Sequence, residues 1–333
     1  MKIKKIAALA LAGAMSALAL AGCSGTDTAK KDADTNTEKY SIGLVQLVQH
    51  EALDAATQGF QDKLVELLGE DNVDFDLQNA SGDSATCATI ANQFVSSGKD
   101  LIFANATAAL QAAAAATSDI PIVGTSITDY ATALDIDNWT GATGRNITGT
   151  ADLAPLAEQA AMFKELLPDA KNIGLIYCSS EPNSKYQVDI VNEELTKLGY
   201  ICTEYSFADS NDVAAVVTTA VGAMDALYIP TDNTAAANTE IIANIVNPAN
   251  IPVIAGEEGI CRGCGIATLS ISYYSLGQVT GEMAYDILVN GADPATTEVK
   301  YTDELTKMYM KDRAEAMGIT IPEGYEELAP EAE

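Results

Sequence analysis

The sequence holds a single histidine, His50, so imidazole-based acid-base or nucleophilic schemes have one candidate and histidine-rich metal sites have none. What it holds in number are acids and hydroxyls in short loops. Cys178-Ser179-Ser180-Glu181-Pro182-Asn183-Ser184, Pro230-Thr231-Asp232-Asn233-Thr234 and Gly256-Glu257-Glu258-Gly259 each offer a carboxylate, and Gly124-Thr125-Ser126-Ile127-Thr128-Asp129 is dense in hydroxyls. A hydroxyl donates to a carboxylate, and an enclosed ammonium needs an acid because an unpaired buried charge is costly. The two sets together suit the zwitterion of an amino acid. Asn105, Ala106 and Thr107 add a helix start whose free backbone N–H groups can seat an anion. Gln46 and His50 offer further hydrogen bonds. Each of these residues also reads as a helix cap, worth about 0.5–2 kcal/mol, and for His50 a local helix-start contact is an equal alternative.

The loops fall where a regular alternation puts them. Short apolar runs at 40–47, 73–77, 101–104 and 120–123 are each followed or preceded by helical periodicity. After Gly149 the pattern restarts, with apolar runs at 173–177, 200–205, 226–229, 253–255, 266–271 and 297–301. Continuous apolar strands between amphipathic helices predict an α/β fold of two doubly wound parallel-sheet lobes joined by a multi-strand hinge. The expected lobes are residues 40–150 with 273–296, and 151–272 with 297–325, with a break near 141–152. Ligands of open α/β sheets bind outside the carboxyl ends of strands, which is where the loops above lie.

Composition narrows the partners. Lys and Arg number 18 against 47 Asp and Glu, a net charge of −29, which argues against nucleic acid because phosphate backbones need clustered basic residues. A hydrophobic fraction of 48% suffices for a substantial core. The start carries Lys2, Lys4 and Lys5, an apolar run and Leu20-Ala21-Gly22-Cys23. This resembles a bacterial lipoprotein leader, which implies removal of residues 1–22 and lipidation of Cys23 outside the cytoplasmic membrane. The alternative, an uncleaved span, is disfavoured because the apolar run is shorter than the roughly 20 residues a bilayer needs. Residues 23–39 read as a flexible polar tether, and 326–333 as a solvated acidic tail.

A family resemblance rests on five segments in order: 125–129, Asn146-Ile147-Thr148-Gly149, 180–184, Pro230-Thr231-Asp232-Asn233 and Gly318-Ile319-Thr320-Ile321-Pro322. They resemble the ABC-transporter substrate-binding lipoproteins of the TrpX-like group, which have the type I periplasmic-binding fold. The resemblance implies two lobes closing on a small ligand, no catalysis, no cofactor, and handover to a permease and its ATPase. It points to Thr125, Ser126, Asp129, Glu181, Asn183, Ser184, Asp232 and Asn233 as cleft residues; from charge, Asp232 or Glu181 is expected to meet the ammonium. An aromatic amino acid is the expected ligand. Another amino acid or small solute, a sensor for a signalling receptor, and an enzyme using Glu257, Glu258 or Asp232 are the alternatives. The chain departs from the group at Gly144-Arg145-Asn146 and around Trp139, its only tryptophan, which is expected to reshape the cleft mouth.

Five cysteines remain besides Cys23, and only Cys261 and Cys264 are closely spaced. With no second pair and no histidine cluster, they read as a structural disulfide or two inert thiols rather than a zinc site. Tyr130, Tyr177, Tyr228, Tyr273 and Tyr274 fall near strand ends, where they could stack on an aromatic ligand or simply pack the core.

Overall fold

The structure, a computed structural model, describes residues 39–302 and 305–329. The expected leader, Cys23 and all but Lys39 of the tether lie outside them. Thirteen strands and twelve α-helices are described. The first lobe begins with β1 (Tyr40–Gln46), α1 (Glu51–Leu68), β2 (Val73–Asn79), α2 (Ser84–Ser97) and β3 (Leu101–Asn105). It continues with α3 (Thr107–Ala116), β4 (Ile122–Ile127), α4 (Tyr130–Leu134) and β5 (Ile147–Ala151). The second lobe begins with α5 (Leu156–Leu166), β6 (Asn172–Cys178), α6 (Pro182–Lys197), β7 (Ile201–Phe207), α7 (Val213–Val221) and β8 (Ala226–Ile229). After it come α8 (Asn233–Ala236), α9 (Thr239–Ala249), β9 (Val253–Ala255), α10 (Glu258–Cys264) and β10 (Ala267–Ile271). The remaining elements are α11 (Tyr273–Asn290), β11 (Lys300–Tyr301), β12 (Leu305–Tyr309), α12 (Lys311–Ala316) and β13 (Glu326–Glu327).

The sheets run β11-β5-β4-β3-β1-β2 and β13-β12-β10-β9-β8-β6-β7. The core orders, β2-β1-β3-β4-β5 and β7-β6-β8-β9-β10, are the same doubly wound arrangement built twice. In each, strand order reverses once, between β1 and β3 and between β6 and β8. A crevice opens at such a reversal because the helices that follow its two strands leave to opposite faces. Strands such as β3 and β4 are buried along their whole length, as parallel strands covered on both faces must be. Burying such continuous apolar runs contributes roughly 25 cal/mol per Å² of area removed from water.

The chain crosses between lobes three times: after β5, between β10 and α11, and between Tyr301 and Leu305. Helix α11 returns to the first lobe and lies along α1 at glycine distance. A Cβ added at Gly277 would sit 2.0 Å from Ala56 O, and one at Gly59 would sit 2.1 Å from Tyr274 O.

Three boundary expectations need correction. Residues 141–152, expected as a break, contain β5, a strand of alternating Thr and apolar residues that pairs with β4. The segment 297–301, expected in the second lobe, belongs to the first: Lys300 and Tyr301 pair with Thr150 and Ala151, and Val299 N donates to Gly141 O at 2.8 Å. The acidic tail is partly structured, since Glu326–Glu327 form an edge strand beside β12 and Leu328 is buried. Consecutive acidic residues hid a strand whose backbone, not its side chains, does the pairing.

Candidate functional site

The two reversals face each other. His50 precedes α1 at the end of β1, and Asn233 begins α8 at the end of β8; His50 Nε2 donates to Asn233 Oδ1 at 3.2 Å, from one lobe to the other. That bond makes Nδ1 the unprotonated ring nitrogen, and Nδ1 is enclosed without a partner. Burial holds the His50 pKa below its ordinary value, although Asn233, Glu181 and Asp54 pull it back.

Glu181 precedes α6 and turns its carboxylate onto the first turn of α8. It accepts from Asn233 N (3.0 Å), Asn233 Nδ2 (2.7 Å), Thr234 N (2.8 Å) and Thr234 Oγ1 (2.7 Å). Asp232 caps α8, accepting from Ala235 N at 2.8 Å and from Cys178 N at 2.6 Å. Burial, and then the charge of Glu181, raise the Asp232 pKa. Glu257 caps α10 through Gly259 N and Ile260 N, and burial pushes it up to about 7. The three acids of the second lobe thus bind backbone donors, the capping role that loop position allows any Asp or Glu. Asn183 donates to Thr231 O at 3.3 Å and, with buried Ser184, braces the same loops.

On the first lobe several expected residues turn inward. Gln46 accepts from Thr57 Oγ1 (2.7 Å) and donates to Asp54 Oδ1 (2.6 Å), while Asn105 donates to Leu53 O (2.8 Å). They clamp the first turns of α1 to the sheet and set the position of His50. Thr125 Oγ1 lies 3.1 Å from Thr150 Oγ1, which lies 2.8 Å from Thr280 Oγ1, a buried hydroxyl chain within the lobe. Asp129 caps α4 through Thr132 N at 2.7 Å. Thr107 is buried as the first residue of α3. Ser126 differs: β4 slips register between Gly124 and Ile127, Ser126 takes a left-handed φ of 55°, and its buried Oγ has no partner.

Between the lobes lies a cavity of about 460 Å³, lined from the first lobe by Leu47, Val48, Ala108 and the polar turn Ser81, Gly82, Asp83 and Ser84, and from the second by Ser180, Glu181 and Asn233. A small apolar patch among polar groups suits a ligand with a hydrophobic body and charged ends. The five tyrosines do not line it. Tyr130 and Tyr228 are core residues bonded to Thr150 O and Gln159 Oε1, and Tyr177, Tyr273 and Tyr274 bond Glu204, Asp152 and Asp62. Trp139 packs on Tyr130 with ring centroids 6.3 Å apart, so it extends the first core. Cys261 and Cys264 are buried free thiols on α10, and burial raises Cys264 to about 12. Among the described residues no group of three or more His, Cys, Asp or Glu could hold a metal ion.

Two features escaped the sequence reading. Asp152 stands where the chain first leaves the first lobe; its Oδ2 accepts from Tyr273 OH at 2.9 Å, and its Oδ1 is buried without a partner. Burial pushes its pKa up to about 6 against the pull of the Tyr273 and Thr128 hydroxyls. The signal in the sequence was an acid directly after a short strand, the same rule that located the other loops. The second feature is an interlobe ion pair between Glu51 of α1 and Arg262 of α10, with Arg262 also held by Glu258. Arg313 caps this helix, donating to Cys261 O and Gly265 O at 2.8 Å and to Arg262 O and Gly263 O at 2.6 Å.

The family model described as ABC transporter substrate binding protein matches residues 41–332. A protein named tyrosine-binding protein from Clostridioides difficile (strain R20291) is 37% identical over 322 residues, covering 95% of this chain and 93% of its own. Among solved structures, an ABC domain from Streptococcus pneumonia in complex with L-Trp is 34% identical with a TM-score of 0.82, over 86% of this chain and 97% of that one. The ligand-free, open structure of a substrate binding protein with adhesive properties from Clostridium difficile is 38% identical but scores 0.67, over 88% of this chain and 100% of that one. The better match in shape is to the ligand-bound relative despite lower identity, in keeping with the His50 and Glu51 contacts that draw the lobes together here. The fold built twice, the facing reversals and the extent of these matches lead to one conclusion: the chain belongs to the ABC transporter substrate-binding protein family.

Proposed function

We propose that this protein is the extracytoplasmic solute-binding component of an ABC importer, lipid-anchored through Cys23, and that its lobes close on an aromatic amino acid. The observation that carries the reading is the meeting of His50 and Asn233 at the two facing reversals, beside a cavity of about 460 Å³. A volume of that order falls within the roughly 300–1,000 Å³ of small-molecule sites. Leu47, Val48 and Ala108 offer an apolar patch for a ring, and relatives named for tyrosine and solved with L-Trp support the ligand class. Glu181, Asp232 and Glu257 are engaged with backbone N–H groups, so they act as caps and not as proton-transfer groups. The chain works by binding: a ligand that prefers the closed form shifts the lobes toward it, and the closed form is handed to a permease driven by an ATPase.

A thermal-shift screen of the purified mature chain against the twenty amino acids tests this, since a ligand stabilises by RT ln(1 + [L]/Kd). The largest shifts are expected with tyrosine, tryptophan or phenylalanine. A dominant shift with an aliphatic amino acid or a sugar would overturn the ligand class and leave the receptor role standing.

A further inference from the structure

Two orphaned polar atoms where the chain first leaves the first lobe carry one more step, although neither residue lines the 460 Å³ cavity. Ser126 and Asp152 stand at the carboxyl ends of neighbouring strands: Ile127 pairs with Ala151, and Asp152 N donates to Ile127 O at 3.1 Å. The register slip in β4 puts Ser126 in left-handed backbone, which costs a non-glycine residue roughly 1–3 kcal/mol and persists where the surroundings over-determine it. Bulges of this kind gather beside functional sites because they re-aim a side chain. Ser126 is 7% exposed and Asp152 4%, yet Ser126 Oγ and Asp152 Oδ1 have no hydrogen-bond partner. About nine in ten buried polar groups are paired in folded proteins, so two unpartnered side chains at the ends of neighbouring strands call for a reason. The other buried acids offer none, since Glu181, Asp232 and Glu257 accept from backbone donors on both oxygens.

We propose that Asp152 Oδ1 accepts the ligand's α-ammonium and Ser126 Oγ donates to its α-carboxylate, the two orphans forming one amino-acid head-group subsite. This rests on the reading of the protein as an amino-acid receptor. It moves the ammonium contact from Glu181 and Asp232 to an acid at the first lobe crossing. Tyr273, from the second crossing, becomes a positioning residue: its hydroxyl holds Asp152 Oδ2, which leaves Oδ1 for the ligand. Two of the three crossings thereby meet at one carboxyl group, so the residue that reads the ammonium also stands where lobe motion is absorbed.

The test is calorimetric titration of the mature chain and its Asp152→Asn, Ser126→Ala and Tyr273→Phe variants. The probes are L-tyrosine and L-tryptophan and their des-amino analogues, 3-(4-hydroxyphenyl)propionate and indole-3-propionate. Asp152→Asn is expected to weaken the amino acids by about 30-fold or more, as breaking a buried charge pair does, while the des-amino acids change by less than about 3-fold, within the modest net worth of one neutral hydrogen bond. Ser126→Ala is expected to weaken both classes alike, and Tyr273→Phe to narrow the ratio between them without abolishing it. Equal loss of both classes in Asp152→Asn, which a merely structural hinge residue would give, overturns the proposal, as does an unchanged amino-acid affinity. If the unmodified chain binds a non-aromatic amino acid instead, the same ratio measured with that acid and its des-amino analogue decides the subsite while the aromatic reading falls. A chain that binds no L-amino acid ends both.

Discussion

His50 and Asn233, 183 positions apart, meet as Nε2 donor and Oδ1 acceptor at 3.2 Å, each at the point where its own sheet reverses strand order. That bond joins the two lobes, and Glu51, the next residue after His50, adds an ion pair to Arg262. Side chains from both lobes therefore hold this form together.

The Glu51 pair is the simplest to break. Arg262 is 14% exposed and Glu51 39%, so the pair falls near the surface range of about 0.2–1 kcal/mol. Glu51→Gln is expected to raise the ligand's dissociation rate by roughly 1.5–5-fold in stopped-flow displacement, with little change in association. Reversing both charges, Glu51→Arg with Arg262→Glu, is expected to recover part of the loss. A dissociation rate that ignores Glu51→Gln would mean the latch does not bear on closure.

Stability is expected to fall as pH rises toward neutrality. Burial raises Asp152 to about 6 and Glu257 to about 7, and raises Asp232 with help from Glu181. A carboxyl whose pKa is higher folded than unfolded favours folding when protonated; its contribution is full below the ordinary value of about 4 and is lost as pH climbs through the folded value. His50, lowered by burial, works in the opposite sense and loses its share below about 6.5. Calorimetric melting temperatures should thus drop as pH rises from about 4 to about 7, with His50 opposing the trend below about 6.5, by roughly 2 °C or more for each kcal/mol lost. Glu257→Gln, which keeps a capping oxygen, should flatten that slope. A melting temperature constant across the interval would place these acids in contact with water.

The seam between α1 and α11 tolerates no side chain at Gly59 or Gly277, where an added Cβ would approach a backbone oxygen to 2.1 Å or 2.0 Å. Backbone cannot swing aside as a side-chain end can. Gly277→Ala and Gly59→Ala are each expected to cost about 3 kcal/mol or more in urea unfolding, at the upper end of overpacking penalties. Gly82→Ala, with open space around its Cβ, pays only for its positive φ of 82° and should cost about 1 kcal/mol. Equal small losses at all three would mean the helices can separate freely.

Periodicity and loop chemistry determined the class of fold, the strand ends that carry polar residues, and the family segments, because apolar alternation and turn residues are local properties of the chain. Residues 178–184 and 230–234 were legible as capping acids for the same reason. Which oxygen finds a partner was not legible, since Glu181 is satisfied by a helix start some 52 positions away and Asp152 is left with one bare oxygen. Nor could local pattern assign 297–301 to the first sheet or give Glu326–Glu327 a strand partner, because sheet membership depends on hydrogen bonds to chain distant in sequence. Tertiary structure alone decided that His50 faces Asn233 and that Glu51 reaches Arg262: those contacts exist only where two independently wound lobes are brought together by three crossings of one chain.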